Sequence, residues 1–169
     1  MTIRELTEAD IPQLRDLAIR IFRATFTNQN SPENLEAFLN RDYSAESFKK
    51  EFAQPGSQYF FISDDDKTVG YLRLRNNPEV DHILGPNTTE IHRLYVDPAY
   101  HGKKVGDQLM QFALDVANNR NNDWVWLGVW EHNPRAIRFY EKWGFERFSE
   151  HEFFMGNEKQ TDWLLRKKV

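Results

Sequence analysis

Ile11, Leu14, Leu17, Ile21 and Phe22 recur at a period near 3.6, so the chain opens with an amphipathic helix reaching about Phe26. Thr7, with Asp10 three positions on, supplies a near-capping-box start, and Ile3–Leu6 ahead of it fits a short strand. Ser31-Pro32-Glu33 marks a second helix, because proline suits the first turn and a carboxylate favours the positive end of the dipole. Ser44-Ala45-Glu46 marks a third, running through Phe52. Beyond it the period changes. Gln58–Ser63, the turn Asp64–Lys67 and Thr68–Arg75 read as a hairpin. Asn76–Thr88, which holds Pro78, Gly85 and Pro86, reads as a loop.

Glu90–Val96 is the next strand, and Pro98 and Gly102 lead from it into a helix with Val105, Leu109, Phe112 and Val116 on one stripe. Trp124–Trp130 is apolar throughout, as a strand covered on both faces should be. Asn133 starts a last helix through Trp143, closed by Gly144 as a left-handed cap. Phe145–Phe154 and Thr161–Leu165 pair as a final hairpin around Gly156-Asn157. Helices first, an antiparallel meander next and one β-α-β-α passage last predict a mixed α/β sandwich, not a Rossmann repeat. One strand is irregular: Ile91 is out of phase with Leu94 and Val96. A bulge would explain the slip, splaying this strand from Trp124–Trp130 and opening a slot for a thin ligand arm. A strand buried on both faces, which need not alternate, would explain it too.

A length of 169 residues fits one domain, 1–169, and a hydrophobic fraction of 40%, with 13 Phe and 5 Trp, provides a sizeable core. The net charge of −4 gives no basic footprint, so no nucleic-acid partner is expected. The absence of cysteine excludes disulfides, thiolate metal sites and a cysteine nucleophile, and no metal is expected. Arg4, Glu5, Glu8 and Asp10 leave no apolar signal segment, and the longest run without a polar residue, Trp124–Trp130, is far short of a membrane span. A cytoplasmic protein, monomer or homodimer, is the expectation.

Chemistry enters at Val96-Asp97-Pro98-Ala99-Tyr100-His101-Gly102-Lys103-Lys104-Val105-Gly106, which joins a strand to a helix. A helix N-terminus offers unpaired amides and a positive dipole end to phosphate. Gly102 and Gly106 remove side chains where a pyrophosphate would lie close to the backbone, and Lys103 and Lys104 add charge. It is not a P-loop, because only three residues separate the glycines and Gly-Lys-Thr/Ser is absent. Alone, such a turn is equally an ordinary strand–helix connection.

Three pieces line up in order: Glu90–Val96, the Gly102–Gly106 loop with its helix, and Asn133-Pro134-Arg135-Ala136-Ile137-Arg138-Phe139-Tyr140-Glu141-Lys142-Trp143-Gly144-Phe145. Together they resemble the GNAT superfamily of acetyl-CoA-dependent N-acetyltransferases. The first two are similar to its coenzyme-binding strand and loop, usually Gln/Arg-x-x-Gly-x-Gly/Ala. The third is similar to its more specific Asn-x-x-Ala-x-x-Phe-Tyr-x-x-x-Gly-Phe segment. The resemblance covers nearly the whole chain and implies a GNAT-like fold: a central mixed, mostly antiparallel sheet of about seven strands with helices on both faces. His101 stands where the family usually has Gln or Arg, and Lys104 where it usually has its first Gly. A non-glycine amide can still reach the pyrophosphate if its φ is not positive, with Lys104 compensating by charge. A narrower resemblance, to Pai-type spermidine/spermine N-acetyltransferases, rests on Thr25–Asn34, Trp126–Glu131 and Met155–Asp162. It implies a polyamine acceptor.

The resemblance implies acetyl-CoA as cosubstrate, bound by Leu94, Tyr95, Val96, His101, Gly102, Lys103, Lys104, Val105, Gly106, Asp107, Asn133 and Lys142, with Arg135 an alternative to Lys142 at the phosphates. Asn133 would bond the pantetheine arm while capping its helix. A freed strand amide at about Val96 would polarise the carbonyl, an effect often worth ~3 kcal/mol. Tyr140 is similar to the family's general acid, protonating a thiol with a pKa near 8.5. Glu90 is the candidate general base, acting through water, and His92, two residues on and on the same face, is its rival. A solvated carboxylate and a surface histidine would look the same.

Without cysteine, direct attack in a ternary complex is expected rather than an acyl-enzyme. The acceptor, a small-molecule amine, should enter between the first two helices and the final hairpin, where Glu33, Glu36, Glu150, Glu152 and Asp162 would make a negative field. Other acceptors (an aminoglycoside, an amino acid, a protein amine) and a non-catalytic coenzyme A sensor remain open readings.

Overall fold

In the computed structural model, which describes residues 1–169, strand β1 (Thr2–Glu5) is followed by a 3-10 turn at Glu8–Asp10, where the Asp10 carboxylate accepts from the Thr7 amide at 2.9 Å. Helix α1 (Ile11–Phe26) then buries Leu14, Leu17, Ile21 and Phe22, the stripe expected from the periodicity. Ser31 caps α2 (Pro32–Asp42) by accepting from the Asn34 amide at 3.2 Å. Ser44 caps α3 (Ala45–Ala53) by accepting from the Ser47 amide at 3.1 Å. All three helices cover one face of the sheet through a core that includes Tyr59, Phe61 and Tyr71.

Strands β2 (Gln58–Asp64) and β3 (Lys67–Arg75) form the anticipated hairpin. The connection that follows is more ordered than a loop. It holds a 3-10 turn at Pro78–Val80 and a single helical turn, α4 (Asp81–Leu84). Asn77 caps the first by accepting from the Glu79 amide at 3.1 Å, and Val80 and Leu84 are buried against Trp126 and Leu164. Those long-range contacts stabilise turns too short to show a period.

Strand β4 (Thr88–Val96) begins two residues before the expected Glu90, because Thr88 and Thr89 pair in parallel with Trp124 and Val125. A 3-10 turn at Pro98–Tyr100 leads to α5 (Val105–Asn119), then β5 (Trp124–Trp130) and α6 (Pro134–Lys142). Strands β6 (Glu146–Met155) and β7 (Glu158–Lys168) complete the chain. Strand β7 is longer than the expected Thr161–Leu165, since pairing with β5 continues to Lys168 opposite Trp124. Its polar ends carry no apolar alternation to betray them. The seven strands lie in the order β1-β2-β3-β4-β5-β7-β6, and only β4–β5 is parallel. Helices α5 and α6 cover the second face over Leu72, Leu74, Ile91, Val125 and Leu127.

The phase slip in β4 is a bulge. Arg93 lies opposite Arg73 and Ile91 opposite Leu74, so His92 is the extra residue. The bulge re-phases the strand so that Ile91, Leu94 and Val96 all meet the α5-side core, while Glu90, His92 and Arg93 turn towards α3 and β3 partners on the other face. Pairing between β4 and β5 ends at Glu90 opposite Trp126, although both strands continue. Where they part, a cleft of about 1280 Å³ opens. No helix is long and apolar enough to cross a membrane.

Candidate active site

Of the residues expected to hold the coenzyme, Leu94, Tyr95, Val96, His101, Gly102, Lys104, Val105, Gly106, Asp107, Asn133 and Lys142 line this cleft, and so do Glu90 and Tyr140. Lys103 does not; its ammonium sits over the Tyr100 ring, 4.4 Å from the centroid.

The cleft's phosphate-like end is the start of α5. No side chain caps it, so the amides of Val105, Gly106 and Asp107 keep no intrahelical partner. Gly102 has φ +80°, a left-handed conformation that suits glycine. Lys104, the helix N-cap, has φ +60°, so the condition of a non-positive φ is not met. An L side chain held there costs roughly 1–2 kcal/mol, and Lys104 lines the same end of the cleft. The Asp107 carboxylate accepts from the Trp143 indole N–H at 2.9 Å, which leaves Asp107 its amide to offer an anion.

His101 bridges two elements. Its Nδ1 lies 2.6 Å from Arg135 Nη1 and its Nε2 3.1 Å from the Val96 carbonyl. A guanidinium only donates, so Nδ1 accepts, and the Nε2 proton goes to Val96. Burial, then the neighbouring Arg135, pulls the His101 pKa below its usual value, in keeping with a neutral ring. His101 thus fastens the loop to α6 instead of presenting charge.

Tyr140 lies on α6, edge-on to Phe139 at 5.4 Å and to Phe145 at 6.0 Å. Burial pushes its hydroxyl up to about 12, so it keeps its proton at neutral pH and can act as an acid. Asn133 caps α6 by accepting from the Ala136 amide at 3.2 Å, which leaves its amide N–H groups for a ligand.

The other half of the cleft lies under α1–α3. Here the Glu90 carboxylate, buried at 4% exposure, accepts from Arg75 Nε at 2.6 Å, Arg75 Nη2 at 3.2 Å and Asn77 Nδ2 at 2.9 Å. Beside it His92 Nδ1 lies 2.8 Å from Arg73 Nη1. Arg73 and Arg93 share Glu51, at 3.2 and 2.9 Å. Phe26 and Trp130, 6.3 Å apart and edge-on, with Phe153 and Met155, form an apolar wall. The hairpin turn closes that wall against α2: the Asn157 amide donates to Asn34 Oδ1 at 3.3 Å, and a Cβ on Gly156 would lie 2.7 Å from Asn34 Cα.

The expected negative field is narrower than anticipated. Of the five acids, only Asp162 lines the cleft. Glu33 is exposed in the first turn of α2, and Glu36, Glu150 and Glu152 pair with Arg23, Arg147 and Lys159. Asp162 Oδ2 lies 3.4 Å from His151 Nε2, and His151 Nδ1 lies 2.6 Å from Glu79 Oε1. Hydrogen bonding to Asp162, then to Glu79, raises the His151 pKa to about 9, so at neutral pH a cation stands between two carboxylates. His151 and Asp162 both line the cleft, and Glu79 does not.

Sequence reasoning had not singled out Arg73, Arg75, Asn77 or His151. Arg73 and Arg75 alternate with Leu72 and Leu74 along β3, a pattern that names no partner for either. Only the β3–β4 register brings them to His92 and Glu90.

Comparison with known proteins shows the family and the fold. The acetyltransferase (GNAT) family model matches residues 12–145. An uncharacterised N-acetyltransferase from the pepI 3′ region of Lactobacillus delbrueckii subsp. lactis is 36% identical over 167 residues, covering 99% of this chain and 96% of that one. A spermidine N(1)-acetyltransferase of Thermoplasma acidophilum is 26% identical over 148 residues, 85% of this chain and 87% of its own. Among solved structures, the PaiA N-acetyltransferase of Thermoplasma acidophilum in complex with coenzyme A shares the fold, with a TM-score of 0.80 and 23% identity over 99% of this chain and 98% of that one.

Proposed function

The chain belongs to the acetyltransferase (GNAT) family and is an acetyl-CoA-dependent N-acetyltransferase; from that premise we propose that its acceptor is a primary amine on a small polycation, with spermidine and spermine as the lead. The observation that carries this reading is Asp162, a cleft-lining carboxylate on β7 opposite Trp130 of the apolar wall. The names of two relatives, a spermidine N(1)-acetyltransferase and PaiA, support it.

The residues fit the donor. The uncapped amides at Val105–Asp107 and the Lys104 ammonium suit a pyrophosphate, and Lys142 adds charge on the same cleft. The parted strands suit a thin pantetheine arm, along which Asn133 offers its amide and Leu94 and Val96 offer strand amides. When bound, acetyl-CoA supplies the activated acyl group as a thioester.

The chain's own part is positioning and proton handling. A primary amine has a pKa near 10.4, so its small neutral fraction is the nucleophile, and that amine must lose one N–H proton as the amide forms. Glu90, fixed by Arg75 and Asn77, directs that proton's departure through water. A strand amide near Val96 steadies charge developing on the carbonyl oxygen. Tyr140 holds a proton for the departing sulfur, whose conjugate acid has a pKa near 8.5. With no cysteine in the chain, the amine attacks directly in a ternary complex. Residues 1–169 act as one such domain.

The test is thiol release from acetyl-CoA across polyamines, aminoglycosides, amino acids and peptides. Saturable turnover with spermidine or spermine above the others supports the reading. Turnover confined to another class would replace the acceptor, and tight coenzyme binding without turnover would point to a sensor.

A further inference from the structure

His92 is the extra residue of the β4 bulge, and it lines the cleft together with Glu90. Arg73 Nη1 stands 2.8 Å from its Nδ1. A guanidinium carries five N–H donors and no lone pair, so Nδ1 is the acceptor. A neutral imidazole that accepts at Nδ1 carries its single proton at Nε2.

The donor that sets this tautomer is itself immobile. Arg73 is 0% exposed, with Nε on Ser57 Oγ at 3.2 Å, Nη2 on Gln54 Oε1 at 2.7 Å and Nη1 also on Glu51 Oε1 at 3.2 Å. The charged groups around the ring are Arg73 and Arg75 from β3, Glu90 and Arg93 on β4, and Glu51 from α3. Three guanidiniums outnumber two carboxylates. Burial first, then Arg93, Arg75 and Arg73, holds the ring's pKa well below the usual histidine value, so it takes no second proton at neutral pH.

Glu90 has one place left. Its Oε2 accepts from Arg75 Nε and Asn77 Nδ2, and its Oε1 accepts only from Arg75 Nη2. A carboxylate has about four acceptor positions, so one on Oε1 is open.

We propose that His92 Nε2–H and the open Oε1 position of Glu90 hold one water between them, and that the acceptor's proton leaves through it. His92 is then a positioning residue that donates, the reverse of the base role its sequence suggested. The step balances from the neutral amine. Its nitrogen bonds the acetyl carbon and the carbon–sulfur bond breaks. The amine proton passes to the water as a water proton passes to Glu90, and Tyr140 protonates the sulfur. Glu90 and Tyr140 then exchange protons with solvent. This inference rests on the acetyl-transfer reading.

Two measurements test it. Ring-nitrogen NMR of the intact protein, with the His92 signals assigned by their loss in His92→Asn, should show a proton on Nε2 and a bare Nδ1 throughout the pH range of activity. Kinetics of His92→Asn, whose amide oxygen can take over the Arg73 bond while its shorter NH2 falls short of the Nε2 position, should show kcat/KM for the acceptor about tenfold lower. Acetyl-CoA KM and the position of the rising pH limb should not move. A proton on Nδ1, a ring that titrates in that range, a limb lost in His92→Asn, or a variant with wild-type kcat/KM would each overturn the proposal. The NMR result stands whether or not any amine is turned over, so failure of the acetyl-transfer reading shows separately.

Discussion

The Glu90 carboxylate is gripped by both Nε and Nη2 of Arg75, at 2.6 and 3.2 Å, so the candidate base is one arm of a forked ion pair at the end of the β4–β5 pairing. Such a fork fixes the carboxylate's plane as well as its place.

It follows that Arg75 matters to the rate without touching the acceptor. Glu90→Gln should lower kcat about 100-fold, in the usual range for a general base. Arg75→Gln should lower it about tenfold, with acetyl-CoA KM close to wild type in both. Steady-state kinetics with the best acceptor check this. Glu90→Gln at wild-type kcat would remove Glu90 from the proton path.

Tyr140→Phe removes only a hydroxyl from a residue packed on Phe139 and Phe145. The expected outcome is kcat lower by about 100-fold and coenzyme affinity, measured by calorimetry, nearly unchanged. Because burial holds this hydroxyl up to about 12, no falling limb from its ionisation should appear below about pH 10.

His151 ties the Pro78–Val80 turn to the β6–β7 hairpin through Glu79 and Asp162. Its folded pKa, about 9, lies above the ordinary 6.5. A raised histidine stabilises fully below its unfolded pKa and loses that contribution as pH rises through its folded pKa. Wild type should therefore exceed His151→Gln in thermal stability at pH 6, with the gap closing between about pH 6.5 and 9. Melting curves across that range decide it; a gap independent of pH would deny the charged bridge.

Lys104 sits at φ +60° where glycine is at ease. Lys104→Gly should raise unfolding free energy by about 0.5–1 kcal/mol while weakening coenzyme A binding a few-fold, because strain and charge leave together. Denaturant unfolding and binding titration separate the two effects. Tighter binding on losing the lysine would show that its charge does not meet the phosphates.

Much of this was legible in the sequence because each signal was local. Ser31-Pro32 and Ser44 announce their helices by capping chemistry, and the Asn133–Phe145 segment carries its cap, its Tyr140 and its terminal Gly144 together. Even the bulge left a trace, in the mismatch of Ile91 with Leu94. What stayed hidden depends on partners far along the chain. The turns at Pro78–Leu84 exist by packing on Trp126 and Leu164, and the ends of β7 exist by pairing with β5. Glu90 gives no sign in its own neighbourhood that Arg75 will hold it. The acids at Glu36, Glu150 and Glu152 gave no sign that basic neighbours would take them out of the acceptor's field.

The acceptor is the centre of the account, and Asp162 is where it is most exposed to test. The deciding measurement is kcat/KM for spermidine and for an uncharged-tail amine of equal length, in wild type and in Asp162→Asn. Wild type should prefer spermidine, and Asp162→Asn should lose about tenfold with spermidine but little with the uncharged-tail amine. Equal losses on both amines, or no preference for spermidine in wild type, would contradict that.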